Sequence, residues 1–254
     1  MPITSRSSGN TVYNNSYTAP NQCSGITLYH LTDLDSGAGF RNTISGNMSY
    51  GNFNKVPVPG ATYTTDGNGI IIDDSRHTQS DNAAYHGATL VYGNIVFANG
   101  GVGIQVFASD NVTVANNTAY KNQQSDTIPG PIGELSSQDS GTTTLVNNIA
   151  FTYGAALPAF VEQNSSNDSW DYNLTTNGGN SIAGASHLTL GTHNLAGVDP
   201  QFENPSISPA AENFHLASNS PALKAGLAES FGVADISGLL LAVGVKPNLG
   251  AYTR

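Results

Sequence analysis

Val91-Tyr92-Gly93-Asn94-Ile95-Val96-Phe97-Ala98-Asn99 decides the fold, because near-copies of it recur along the chain. Gly9 to Asn15, Ile44 to Asn52, Val114 to Asn122 and Leu145 to Phe151 repeat the same order of apolar residue, Asn, β-former, aromatic and Asn or Gly. Placed in register, the copies stack Asn10, Asn47, Asn94, Asn117 and Asn148 in one column and Tyr13, Tyr50, Phe97, Tyr120 and Phe151 in another. The spacing runs from 23 residues (Asn94 to Asn117) to 47 (Asn47 to Asn94), the range in which each repeat is one structural unit stacked on the next.

A second phrase lies between the first: Gly25-Ile26-Thr27-Leu28-Tyr29-His30, Gly69-Ile70-Ile71-Ile72-Asp73-Asp74 and Gly103-Ile104-Gln105-Val106-Phe107-Ala108, with a looser copy near Glu134. Both phrases are short runs of β-branched and aromatic residues punctuated by Asn and Gly, and no segment carries a sustained helical period. Two strand phrases per repeat, joined by bends too short for a helix, predict an all-β parallel β-helix. Asn suits its bends because it tolerates left-handed backbone and bonds to the Asn of the next coil. The Asn and aromatic columns are therefore structural.

The 254 residues are 38% hydrophobic and only 10% charged, enough for one long core under a surface of Ser, Thr, Asn and Gly. A net charge of −10 argues against nucleic acid and anionic membranes as partners, whose phosphates need a basic face. A polyanionic substrate is also repelled unless a cation bridges it. No apolar stretch is long enough to span a membrane, and the start lacks a signal-peptide pattern. The repeat begins within ten residues of Met1 without the polar cap that a first coil needs, so the expectation is a piece of a longer chain or self-association through the uncapped N-terminal coil.

After about residue 164 the text changes, to Val198-Asp199-Pro200-Gln201-Phe202, Asn213-Phe214-His215-Leu216 and finally Leu249-Gly250-Ala251-Tyr252. Coils over 1–196 closed by this tail resemble the bacterial right-handed parallel β-helix repeat proteins of the polysaccharide lyase type. That resemblance implies a single right-handed solenoid of about five to seven coils, with 197–254 packed as a C-terminal cap on the last coils, secretion, and a polysaccharide partner. It fixes the fold better than the reaction, since one solenoid hosts lyases, hydrolases, esterases and adhesins.

The segment that concentrates charge is Thr65-Asp66-Gly67-Asn68-Gly69-Ile70-Ile71-Ile72-Asp73-Asp74-Ser75-Arg76, followed by Asp81. Carboxylate oxygens gathered at one bend favour Ca²⁺, with Asp66, Asp73 and Asp74 as ligands. Asp66-Gly67-Asn68-Gly69 before an apolar strand also resembles a motif of the family nine pectate lyases, which use Ca²⁺ and a lysine base. Where that family has aromatic, lysine and apolar residues this chain has Ile70, Ile71 and Ile72, so a base would come from Arg76, Lys55 or Lys121. Ile71, Gln105 and Glu134 fall in one outward column, and Tyr63 and His77 sit on the insertions flanking the Asp cluster, placed to meet sugars. Three functions follow: a Ca²⁺-assisted lyase on a uronate polymer with Asp73, Asp74, Arg76, Glu134 and Lys121 in the chemistry and Lys55, Gln105, Tyr63 and His77 on substrate; a glycoside hydrolase pairing Asp73 or Asp74 with Glu134; or a non-catalytic solenoid for polysaccharide binding or adhesion.

Overall fold

The computed structural model describes residues 5–34, 36–130, 132–154, 156–177, 182–184, 187–209, 213–229 and 231–254. The strands follow one another in threes, each triplet one turn of a solenoid. The first turn holds β1 (Ser5–Ser8), β2 (Thr11–Tyr13) and β3 (Ile26–Tyr29), and the second β4 (Phe40–Ser45), β5 (Met48–Tyr50) and β6 (Ile70–Asp73). The third holds β7 (Ala88–Tyr92), β8 (Ile95–Phe97) and β9 (Ile104–Phe107), and the fourth β10 (Val112–Ala115), β11 (Thr118–Tyr120) and β12 (Leu135–Gln138). The fifth is β13 (Thr144–Val146), β14 (Ile149–Phe151) and β15 (Phe160–Gln163), the sixth β16 (Asp168–Asp171), β17 (Leu174–Thr175) and β18 (Ile182–Ala183). A last partial turn adds β19 (Leu188–Leu190) and β20 (Leu195–Ala196).

Corresponding strands pair in parallel to make three sheets, ordered β1-β4-β7-β10-β13-β16-β19, β2-β5-β8-β11-β14-β17-β20 and β18-β15-β12-β9-β6-β3. This is the right-handed parallel β-helix expected from the repeat. Among the described residues there are no helices, hence none long and apolar enough to cross a membrane. The lumen is filled by Ile44, Ile72, Val91, Val96, Val106 and Val114 and closes further along on Phe160 stacked against Trp170 at 4.9 Å.

Hydrogen-bonded ladders hold the corners. In the predicted Asn column the backbone N–H groups of Asn47, Asn94, Asn117 and Asn148 each donate at 2.9 Å to the side-chain oxygen of the Asn in the next turn, and the ladder runs on through Asn173 to Asn194. These amides are buried, so every donor and acceptor needs a partner, and the next coil supplies it at the strand spacing of about 4.8 Å. The final Asn of each repeat makes a second ladder, Asn15 to Asn52 to Asn99 to Asn122. The third corner is a serine ladder, Ser75 to Ser109 to Ser140 to Ser165.

The tail lies along the flank where the first two sheets meet, covering the later turns, where Ala222 and Leu249 pack with Ile149 and Leu174, and running back as far as the second turn. β21 (Phe202–Asn204) and β22 (Asn213–Leu216) form an antiparallel pair whose Phe214 packs on Phe97 and Tyr120 at 5.5 and 5.1 Å. Further on, Phe231 reaches Tyr92 of the third turn and Phe40 of the second. The aromatic column therefore faces outward beneath this tail, because alternate strand residues point to opposite faces and Val96 already points in. Gly93, at φ +65°, lets the tail come close: a Cβ there would lie 3.1 Å from the Asp235 Cα.

Candidate active site

The outer face of the third sheet, from β3 to β18, forms the floor of an open trough of about 1390 Å³. Strand pairing sets its columns without ambiguity: Thr27, Ile71, Gln105, Ser136 and Val161 stand in one, Tyr29, Asp73, Phe107, Gln138 and Gln163 in the next. One side is walled by the loops that lead into these strands, carrying Asn21 and Gln22, Thr65 and Asp66, and Ile128 and Pro129, the last two loops joined by the Thr64 N–H on the Thr127 carbonyl; Gln79 lines the trough past the end of β6.

Asp66 occupies a bend that its neighbours lock. Its φ is +53° and that of Gly67 +67°, two consecutive left-handed residues that turn the chain into β6. The Gln22 side chain accepts the Thr65 N–H at 2.8 Å, and the Asn68 side chain accepts Val102 N–H at 2.7 Å while donating to Gln105 at 2.8 Å. Asp73 ends β6 and points into the trough between Tyr29 and Phe107. Burial pushes the Asp66 carboxyl up to about 6. Asp73 also rises to about 6, through burial first and then repulsion from Asp66 and Asp74, eased by His30. Two carboxyls of one trough thus hold protons well above the ordinary carboxylate range, the condition under which such groups exchange protons near neutrality.

Asp74 lies elsewhere. Fully buried at φ +48°, it accepts Thr78 N–H and Oγ1–H at 2.7 Å each and Gln79 N–H at 3.1 Å, and pairs with His30 Nε2 at 2.8 Å. Burial works to raise its carboxyl, but these donors outweigh it and hold the group below its usual range. It pins the 77–79 loop, so the expected convergence of Asp66, Asp73 and Asp74 on one Ca²⁺ does not form. Among the described residues no group of three or more acidic, His or Cys side chains is arranged to hold a metal.

Glu134 departs furthest from its expected place. Strand pairing puts Ser136, not Glu134, beside Gln105, because Glu134 aligns with Gly103 at the bend before the strand: its carbonyl accepts Ile104 N–H. Its side chain is fully buried and takes the place of the next amide in the second Asn ladder, accepting Asn122 N–H at 3.1 Å and Asn122 Nδ2 at 2.7 Å. Burial pushes it up to about 8 against those bonds. It does not line the trough, and neither acid role assigned to it stands.

The other expected residues scatter. Arg76 donates from Nε to both Asp110 oxygens at 3.0 Å and from Nη2 to Oδ1 at 2.6 Å, so its fork is closed on a partner within the protein. Lys121 lies over the rings of Tyr120 and Phe151 at the end of the second sheet, and Lys55 over Tyr17 at 4.5 Å. His77 is buried with Nε2 on the Leu31 carbonyl, and Tyr63 is exposed outside the trough. Of the predicted set, Asp66, Asp73 and Gln105 line the trough. Tyr29, Asn68, Ser136, Gln138 and Gln163 line it too and were missed, though Tyr29, Ser136 and Gln138 sit in the second strand phrase at the alternate positions that had already marked Gln105 as outward. Glu162, which reads as a solvated charge, has its side chain fully buried against Ser137 of the neighbouring strand.

No family profile matches the chain, and no curated protein matches it. Among solved structures it is similar to the A-module of the mannuronan C-5 epimerase AlgE4 of Azotobacter vinelandii, at 15% identity and TM-score 0.44 over 66% of this chain and 48% of that one. It is similar also to the pectate lyase Pel9A, at 16% identity and TM-score 0.45 over 98% of this chain and 65% of that one. The chain thus spans about half of the first and under two thirds of the second. At this distance neither an activity nor any residue's role is carried across.

Proposed function

We propose that the protein is a carbohydrate-active enzyme that hydrolyses a glycosidic bond of a polysaccharide laid along the trough, with Asp66 and Asp73 as its two carboxyls. The observation that carries this reading is the pair of trough carboxyls both raised to about 6. Near that pH one of the two carries a proton to give to the leaving oxygen, while the other, ionised, either draws a proton from an attacking water or attacks the anomeric carbon itself. Tyr29 and Phe107, flanking Asp73, offer ring faces to a sugar, and Gln105 fixes the Asp66 bend through Asn68.

The pectate lyase resemblance supports a different reading, Ca²⁺-assisted β-elimination on a uronate polymer. That reaction needs a base beside the substrate carboxylate, and among the described residues lining the trough none is Lys, Arg or His. A polymer substrate fits an extracellular or periplasmic location, since it is too large to reach an enzyme inside the cell. The test is a panel of polysaccharides with and without chelator: new reducing ends without absorbance from unsaturated products, unaffected by chelator and lost in Asp73→Asn, support hydrolysis. Unsaturated products that vanish with chelator would overturn it in favour of elimination, and retention of polymer with no product would leave binding as the function.

A further inference from the structure

Resting on that same trough, we infer that its substrate is an uncharged polysaccharide, read by a row of side-chain amides and hydroxyls rather than by cations. The acidic residues lining the trough are Asp66, Asp73 and Glu162, the last with its side chain buried, and no basic side chain is among the described lining residues. The basic groups nearest the Asp cluster are engaged elsewhere, His30 on Asp74 and Arg76 on Asp110. The local field is already negative enough that Tyr29 is raised too, by burial first and then by Asp73 and Asp74. Each uronate laid here would add a charge of the same sign to a protein of net charge −10, with no guanidinium or ammonium to receive it.

What the floor does present is suited to hydroxyl groups. Gln105, Gln138 and Gln163 rise from three successive rungs, about 4.8 Å apart; the Gln105 oxygen already accepts from Asn68 and the Gln138 amide donates to Asp139, which leaves Gln105 chiefly a donor and Gln138 chiefly an acceptor for a ligand. Ser136 stands between Gln105 and Val161 with its hydroxyl buried and without a partner in the protein. An unpaired buried hydroxyl costs stability unless something bonds to it, and a sugar hydroxyl lying on the floor is such a partner. Tyr29 and Phe107 add apolar ring surface between the polar positions, the mixture that neutral sugars require.

Native affinity electrophoresis of the intact protein in gels containing xylan, galactan or a mixed-linkage β-glucan, against polygalacturonate or alginate with and without Ca²⁺, tests this. At least one neutral polymer should retard the protein, insensitively to salt, and neither polyuronate should do so in either condition. Gln138→Ala and Ser136→Ala, checked for an unchanged melting temperature, should each weaken retardation by about fivefold or more. Retardation by a polyuronate, or by none of the neutral polymers, overturns the inference. The two readings fail separately: a neutral polymer bound but never cleaved removes the hydrolase and leaves this inference standing, while a polyuronate hydrolysed to new reducing ends removes this inference and leaves the hydrolase.

Discussion

Replacing Glu134 by Gln separates a structural acid from a catalytic one and gives a signature that can be worked out beforehand. The Glu134 carboxyl is fully buried, and burial moves it from 4.5 to about 8 against the opposing pull of the Asn122 donors. Between those two values the folded chain keeps a proton that the unfolded chain has released, so stability falls as pH rises, and above about 8 the loss is complete. Each pH unit costs about 1.4 kcal/mol, so the full window amounts to about 5 kcal/mol as an upper figure, since relaxation around the site reduces it. Gln keeps an oxygen for Asn122 and does not titrate. The variant should therefore match the parent near pH 5 and exceed it by several kcal/mol at pH 8 to 9. Urea unfolding at each pH, followed by the fluorescence of the single tryptophan, Trp170, buried in the lumen, measures the gap. The acids raised elsewhere are common to both proteins and cancel in the difference. A gap that stays flat with pH would refute the protonated ladder position, and loss of turnover with the fold intact would return Glu134 to the active site.

Asn117→Ala should cost about 3 to 5 kcal/mol, because it strips the acceptor from the Asn94 N–H and amide and the donors from Val91 and Asn148, whereas Asn10→Ala on the exposed edge should cost under about 1 kcal/mol in the same denaturation assay. Gly93→Ala should destabilise by about 1 to 3 kcal/mol, from its positive φ and the nearness of Asp235, with hydrogen exchange rising first in the flanking tail. Turnover should decline as pH rises above about 6, where Asp66 and Asp73 lose the last proton between them, and Asp73→Asn should lower it by about a hundredfold or more on the substrate the panel identifies. Asp74→Asn should instead act through stability: its lowered carboxyl stabilises the fold above the unfolded value and loses that contribution as pH falls, so the variant's deficit in melting temperature should shrink in acid.

The solenoid was legible in the sequence because its cause is local and repeated. A buried Asn at every turn must find its partner in the next turn, so Asn47, Asn94, Asn117 and Asn148 recur in the text as they stack in space, and the aromatic three residues on recurs with them. The same repetition marked Gln105 as outward and placed Asp73 at a strand end. The site was not legible, because function here depends on which way single side chains turn at bends, where the repeat breaks and the period carries no information. Asp73 and Asp74 are adjacent in the chain, yet the left-handed backbone at Asp74 sends one to the trough and the other into a buried loop cap. Glu134 lies two residues before the outward column; within a strand that offset would keep the same face, but β12 begins only at Leu135, and at the bend before it the side chain turns into the buried ladder. Arg76 needed Asp110, a residue 34 positions away, to become a closed pair instead of a free clamp. The tail's course along the flank was likewise decided by contacts between Phe231, Phe214 and residues more than a hundred positions earlier, a pairing that only the tertiary structure sets.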